Sequence, residues 1–451
     1  MKQVNEVING VQSRLSLTLK LAAIGAVILI LLIPKSRIVS LIDERESNRA
    51  TAEQEVGEMW GGMQVLSGPV LLVPYRHYET RNGETLERKR YAKFLPAQLS
   101  IEGNLNSDRL YRSIYELIVY QSDILVSGLM RRPDFNKLDI DLAEVLWDEA
   151  VLQISVSDIR GIKESVVLKW GDQELDFESG LSNRDVFSNG LKTGVQVPEA
   201  DKPLRFSFGL KLNGSKSLSF LPMGKDTKVK LKSDWPAPSF FGNYLPANRL
   251  VDSNGFEADW SILSLNRDFP QAWTEANYQL EEAAFGVTLF QPVSAYQRSN
   301  RSAKYSLLVI FLTFLVFFII ENLTGSMVHP IQYGMIGLAL ILFYTLLLSL
   351  AEYMFFYQAY LIAALMIVLT IGMYSGAVFQ SWKRAFIIMA ITTILYIFIY
   401  VIIESAQYSL LIGSFGLWLT LSAAMYFTRK MKWYKPKSIA PKEVSVNNSI
   451  T

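Results

Sequence analysis

Hydrophobic residues are laid out along this chain in two different rhythms. Near the start and after Tyr305 they run almost without interruption, whereas between these zones they come in short bursts broken by glycine, asparagine and aspartate. An apolar run of ~20 residues is what a helix needs to cross the hydrocarbon of a bilayer. Six stretches have that character: Leu15–Ile33, Tyr305–Ile320, Ile331–Leu350, Met354–Met373, Ala385–Ile403 and Tyr408–Phe427. The shortest, Tyr305–Ile320, is flanked by Lys304, whose stem can reach the interface. The first ends in "LLIPKSR" with no small-residue cleavage pattern, so it reads as an uncleaved signal anchor.

The middle of the chain has the other rhythm. "RIVSLIDERESNRATAEQEVGEMWGG" is rich in helix formers and predicts a continuation of the first helix, stopped at Gly61–Gly62. "MQVLSGPVLLVPY", "RSIYELIVYQSDILVSGL", "AVLQISVSD", "SVVLKW", "LRFSFGLKLNG" and "KVKLKS" read as short strands between turn residues. "WGDQELDF" and "LKLNGSKSLSF" carry hairpin signals, Gly-Asp and Asn-Gly. The fold class expected is an α+β membrane protein. It has one N-terminal anchor helix, a large extracytoplasmic β-rich domain resembling an antiparallel sandwich, and a C-terminal bundle of five transmembrane helices. The corresponding boundaries are 1–34, 35–303 and 304–428, followed by a basic tail over 429–451.

Charge sharpens this division. Between Tyr305 and Thr428 the only ionised side chains are Glu321, Glu352, Lys383, Arg384 and Glu404. Lysine and arginine mark cytoplasmic loops. Lys2, Arg14, the Lys383–Arg384 loop and the tail "RKMKWYKPK" therefore predict that both termini are cytoplasmic and that residues 35–303 lie outside. The short loops around Glu352 and Glu404 contain neither basic residue. The net charge of +2 supplies no basic face for nucleic acid. With no cysteine in the chain, disulfides, thiolate metal sites and a cysteine nucleophile are excluded. The two histidines, His77 and His329, fall in different zones and predict no metal cluster.

Candidate chemistry is sparse. The run "SDWPAPSFFGNYLP" gathers Trp235, Pro236, Pro238, Phe240, Phe241 and Tyr244, either as a plug for one end of a β-core or as a partner-binding groove. Proline leaves sheet edges and aromatic residues dominate cores, which favours the plug. Glu352 and Glu404 are the polar positions of the bundle. They sit at helix ends, where a transporter would instead place ionisable groups within its spans. The carboxylate pairs Asp148–Glu149 and Glu281–Glu282 could serve a hydrolase, but in a domain this charged such neighbours are usually solvated. No nucleophile elbow, phosphate loop or zinc-protease helix accompanies them. No cofactor is expected.

Several segments in order, "WGGMQVLSGPVLLVPY", "SDWPAPSFFGNYLP", "GFEADWSILSLNRDFPQAW", "FGVTLFQPVSAYQRSNRSAKY" and "HPIQYGMIGLALILFYTLLLSLAEY", resemble the signature segments of the CreD (Cet) family. The resemblance runs from the first span to the last. It implies a bacterial inner-membrane protein linked to a two-component system, with a part in envelope integrity and colicin tolerance. It brings no catalytic residues with it. The expected function is therefore non-enzymatic: stress-response envelope protein, with the lipid bilayer and an unidentified envelope component as partners. A transporter or channel using the C-terminal helices is the alternative.

Overall fold

A computed structural model describes residues 2–81, 84–197, 203–275, 278–289, 295–324, 326–405 and 408–429. Of the basic tail, only Arg429 is among them. The chain divides into two compact units, one made of Met1–Glu46 with Val293–Thr451, the other of Ser47–Pro292.

The helical unit begins in α1 (Lys2–Trp60), which runs through Pro34 and continues into the second unit. Gly61 ends this helix at φ +130°, a left-handed value suited to glycine, and its N–H bonds the Gly57 carbonyl at 2.9 Å. The remaining helices are α2 (Ala295–Lys304), α3 (Ser306–Thr324), α4 (Pro330–Ala351), α5 (Phe356–Phe379), α6 (Trp382–Glu404) and α7 (Ser409–Thr428). Among the described residues five helices are long and apolar enough to cross a membrane: α1 from Leu19, and α3 to α6. The sequence predicts five such helices after the β-rich region. In α7, however, the described apolar stretch covers only Leu411–Ser422, so four C-terminal helices meet the requirement.

The other unit is β-rich. In chain order its strands are β1 (Gln64–Arg81), β2 (Glu84–Phe94), β3 (Gln98–Arg112), β4 (Tyr115–Met130), β5 (Val151–Val156), β6 (Val167–Trp170), β7 (Gln173–Asp176) and β8 (Glu178–Ser179). They continue with β9 (Leu191–Gly194), β10 (Leu204–Ser215), β11 (Ser217–Phe220), β12 (Asp226–Ser233), β13 (Pro238–Gly242), β14 (Asn248–Asp252), β15 (Gly255–Leu263), β16 (Ala272–Trp273) and β17 (Phe285–Leu289). One sheet has the order β13-β17-β11-β1-β5-β9-β8, with β2 beside β1 and β16 beside β2. The other has the order β14-β15-β12-β3-β4-β10-β6-β7. Alternation explains the layering: in β12, Thr227, Val229, Leu231 and Ser233 are buried while Lys228, Lys230 and Lys232 are exposed. The apolar sets of both sheets join in one core containing Leu71, Leu152, Val126, Phe208, Val229 and Phe285.

Two details depart from the sequence reading. The sheets are mixed, because β1 pairs with β11 and β12 pairs with β3 in parallel. Gly-Asp does form a hairpin, joining β6 to β7 around Gly171. Asn213–Gly214, by contrast, is no hairpin. It continues β10 against β4, opposite Gln121 and Tyr120. Gly214 is needed because a Cβ there would stand 2.2 Å from the Tyr120 hydroxyl oxygen, which is buried and donates to the Ser217 carbonyl at 2.8 Å. The chain turns only at Lys216 (φ 62°) and then crosses to the other sheet as β11.

Candidate functional site

The segment "SDWPAPSFFGNYLP" folds against the β-core. Trp235 is buried at 6 % exposure, with the Arg109 guanidinium 5.5 Å from its ring centroid. Pro236 is exposed and Pro238 opens β13 at the edge of its sheet, where a missing N–H is tolerated. Phe240 meets Phe256 and Trp260 edge-on, each at 5.7 Å, and Tyr244 meets Phe285 at 5.8 Å. Phe241 is half-buried. The run thus spreads along one margin of the core.

Glu352 and Glu404 end α4 and α6, where a carboxylate opposes the helix dipole and needs a donor. Short α2 supplies donors: the Tyr296 hydroxyl is 3.4 Å from Glu352 and Arg298 lies 3.1 Å from Glu404. Arg45 of α1 also approaches Glu352, at 3.8 Å. A second polar cluster in this unit joins elements far apart in sequence. Buried Glu321 forms an ion pair with Lys20, accepts the Val328 N–H at 3.0 Å, and accepts the Tyr333 hydroxyl at 2.9 Å. The sequence signal for it was a lysine inside the first apolar stretch. His329, in turn, caps α4 by accepting the Ile331 N–H. Among the described residues no group of three potential metal ligands occurs. Of the carboxylate pairs, Glu149 is bound to Lys89, and Glu281 with Glu282 sits in an exposed 3-10 turn.

A polar trough lies on the outward face of the β14–β7 sheet. Register aligns Lys228, Ser100, Ser127, Ser207 and Lys169 as consecutive partners across five strands. At ~4.8 Å per strand, the two lysines are roughly 19 Å apart at the backbone. Small serines keep the floor low, and exposed Gly209 extends it in the next row. Lys228, Lys230 and Lys232 form one wall; Arg205, Lys169 and Lys211 form the other. The depression over the serine row has a volume of about 570 Å³ and adjoins one of about 480 Å³. Three wall cations are partly neutralised, by Glu257 on Lys232 (2.7 Å), Glu164 on Lys211 (2.8 Å) and Glu174 on Lys169 (3.6 Å). Lys228, Lys230 and Arg205 have no ion-pair partner among the described residues. Carboxylates line it too: Asp226 borders the serine-row depression, Glu102 stands in register with Lys230 in the next row, and Asp123 lies farther along.

These features define a class: a multi-span membrane protein that carries a two-sheet β unit between its first and second spans. The family described as "Inner membrane protein CreD" matches residues 16–434. The chain is 32% identical over 444 residues to inner membrane protein CreD of Escherichia coli (strain K12), covering 96% of this chain and 97% of that one. The chain therefore belongs to the CreD family of inner membrane proteins. Two crystal structures of an M1 zinc metallopeptidase from Deinococcus radiodurans align over 37% of this chain and 38–39% of theirs. Their identities are 6% and 9%, and the TM-score of 0.18 in both carries no argument.

Proposed function

We propose that this protein displays its β-rich unit on the outer side of the inner membrane, with α7 crossing as a sixth span so that both termini are cytoplasmic, and uses that unit to bind or stabilise an envelope component. The trough of the β14–β7 sheet carries this reading. Three serines, a glycine and three cations without an ion pair among the described residues, on an open sheet face, make a surface suited to a polar partner or one with an anionic group. Family resemblance supports a place in envelope integrity, under control of a two-component system, and in colicin tolerance. Transport remains the second reading, supported by the Tyr344 and Tyr396 hydroxyls, which are buried within the helices without a hydrogen-bond partner among the described residues.

A photoreactive residue at Ser127, in the trough, compared with one at Lys89, exposed on the other sheet, tests the proposal in intact cells. A defined envelope species should crosslink from Ser127 and not from Lys89. Equal capture from both positions, or none from Ser127 at normal protein abundance, would refute it.

A further inference from the structure

Between β15 and β16 the segment "SLNRDFPQ" alternates. Asp268 and Pro270 are exposed, whereas Arg267 and Phe269 turn inward at 7 % exposure each. This period of two comes from extended backbone, with Arg267 at φ −128° and ψ 156°. The guanidinium carbon then lies 4.2 Å from the centroid of the Phe269 ring. Its three nitrogens are buried and none has a hydrogen-bond partner among the described residues.

That arrangement is incomplete by itself. An arginine carries five N–H donors in a rigid planar fork and has no acceptor. A buried ion without hydrogen bonds or a counter-ion is strongly disfavoured, and stacking on one aromatic ring returns only part of the loss. Burial lowers the Arg267 pKa to about 10, which still leaves the group cationic at neutral pH. The backbone that directs the side chain inward is held in place, because the turn before it is pinned twice. Asn266 Oδ1 accepts the Leu263 N–H at 3.2 Å, and the Asn266 carbonyl accepts the Tyr244 hydroxyl at 2.6 Å. Four residues on, Gln271 Oε1 is also buried and unsatisfied, so the segment does not meet its own polar requirements.

We infer that Arg267 anchors a binding site for a small oxyanion at the margin of the β-core, with a carboxylate or phosphate offering two oxygens to the guanidinium fork. Planar, bidentate recognition of this kind is what arginine does and lysine cannot reproduce. Phe269 fixes the plane of the fork, and the pinned turn holds its direction. The aromatic margin built from "SDWPAPSFFGNYLP" contributes Tyr244 as one of the two pins. The oxyanion binds the folded unit and completes its interior, so occupancy raises the stability of that unit. The site is separate from the trough, and either can fail without the other.

The test uses the full chain in nanodiscs of zwitterionic lipid, with thermal unfolding followed by tryptophan fluorescence. Sodium phosphate and sodium acetate are each titrated against sodium chloride at matched ionic strength. The melting temperature should climb with the logarithm of phosphate or acetate concentration once the site is saturated. Response to one salt alone identifies the preferred oxyanion. Arg267→Met keeps an apolar stem without the charge, and should melt higher than the parent in chloride and lose the response. Arg267→Lys should shift the half-saturation concentration upward by about tenfold or more, since the fork is gone. The proposal is overturned if neither salt exceeds chloride with the parent protein, or if Arg267→Met responds like the parent. Should Arg267→Met fail to fold, the parent titration and Arg267→Lys decide between the same outcomes.

Discussion

Truncating Trp235 separates the two roles open to the aromatic run in which it lies. The indole is buried at 6 % exposure and belongs to the common core of both sheets. A large aromatic side chain removed from such a site costs about 3–5 kcal/mol, through lost transfer free energy and the cavity left behind. Domains are usually stable by about 5–15 kcal/mol, so Trp235→Ala should remove a large share. At ~1.4 kcal/mol per decade, the unfolded fraction of the β-rich unit rises by roughly two to nearly four orders of magnitude. Limited proteolysis of membranes, with immunodetection of fragments, reads this directly. Trp235→Ala should be cleaved within residues 64–289 at protease levels that spare the parent, and should accumulate less. Lys225→Ala, in an exposed turn close by in sequence, should match the parent. A Trp235→Ala protein of parental abundance and protease resistance that has lost its cellular function would refute the core assignment and make the segment a partner surface.

Other parts of the molecule yield equally direct expectations. Asp158 accepts Arg160 through both carboxylate oxygens at 2.9 Å and the Gly62 N–H at 3.0 Å, and the Arg160 bonds, first among these, hold its pKa below the usual value. A depressed folded-state pKa stabilises above the unfolded value of ~3.9, and that gain is lost as pH falls through the folded value. Asp158→Asn should therefore unfold earlier than the parent at pH 7 in urea, with the gap closing below about pH 4; a gap independent of pH would contradict this. Glu321→Ala strands Lys20 and the Tyr333 hydroxyl, a loss of about 3–5 kcal/mol for a broken buried pair. Membrane abundance should fall and recover in the double variant Lys20→Met, Glu321→Met, whereas an unchanged single variant would show the pair to be dispensable. The partly exposed Arg298–Glu404 pair should be worth only about 0–1 kcal/mol. Arg298→Glu should thus loosen α2 slightly in hydrogen exchange, Arg298→Glu with Glu404→Arg should restore it, and failure of the swap would exclude direct pairing. Reporter fusions at Asp172 and after Thr451 should report outside and inside respectively; a C-terminus found outside would mean that one span has been miscounted and that α7 does not cross.

Much of this architecture was legible in the order of residue types. Long apolar runs can persist only where water is absent, so the spans were apparent from composition alone, apart from the shorter described stretch in α7. "KVKLKS" between turn residues marked a strand, and Gly61–Gly62 marked the end of the first helix. Those are local properties, set by backbone geometry and by whether a side chain prefers water. Asn213–Gly214 shows where local reading ends. The pair suits a hairpin, yet the glycine is there to make room for Tyr120, from a neighbouring strand more than ninety positions earlier. The serine row has the same origin. Ser100, Ser127 and Ser207 become neighbours only through strand register, which the buried residues on the opposite face select. The isolation of Arg267 also needed the fold. Extended backbone places it on the same side as Phe269, but whether an acceptor meets it depends on every segment packed around it. Lys20 and Glu321, three hundred positions apart, meet because an apolar bundle leaves each charge little other choice of partner. Sequence therefore determined the elements and their preferred faces, while tertiary structure decided which polar groups satisfy one another and which are left unsatisfied, because burial removes the water that would otherwise serve them all.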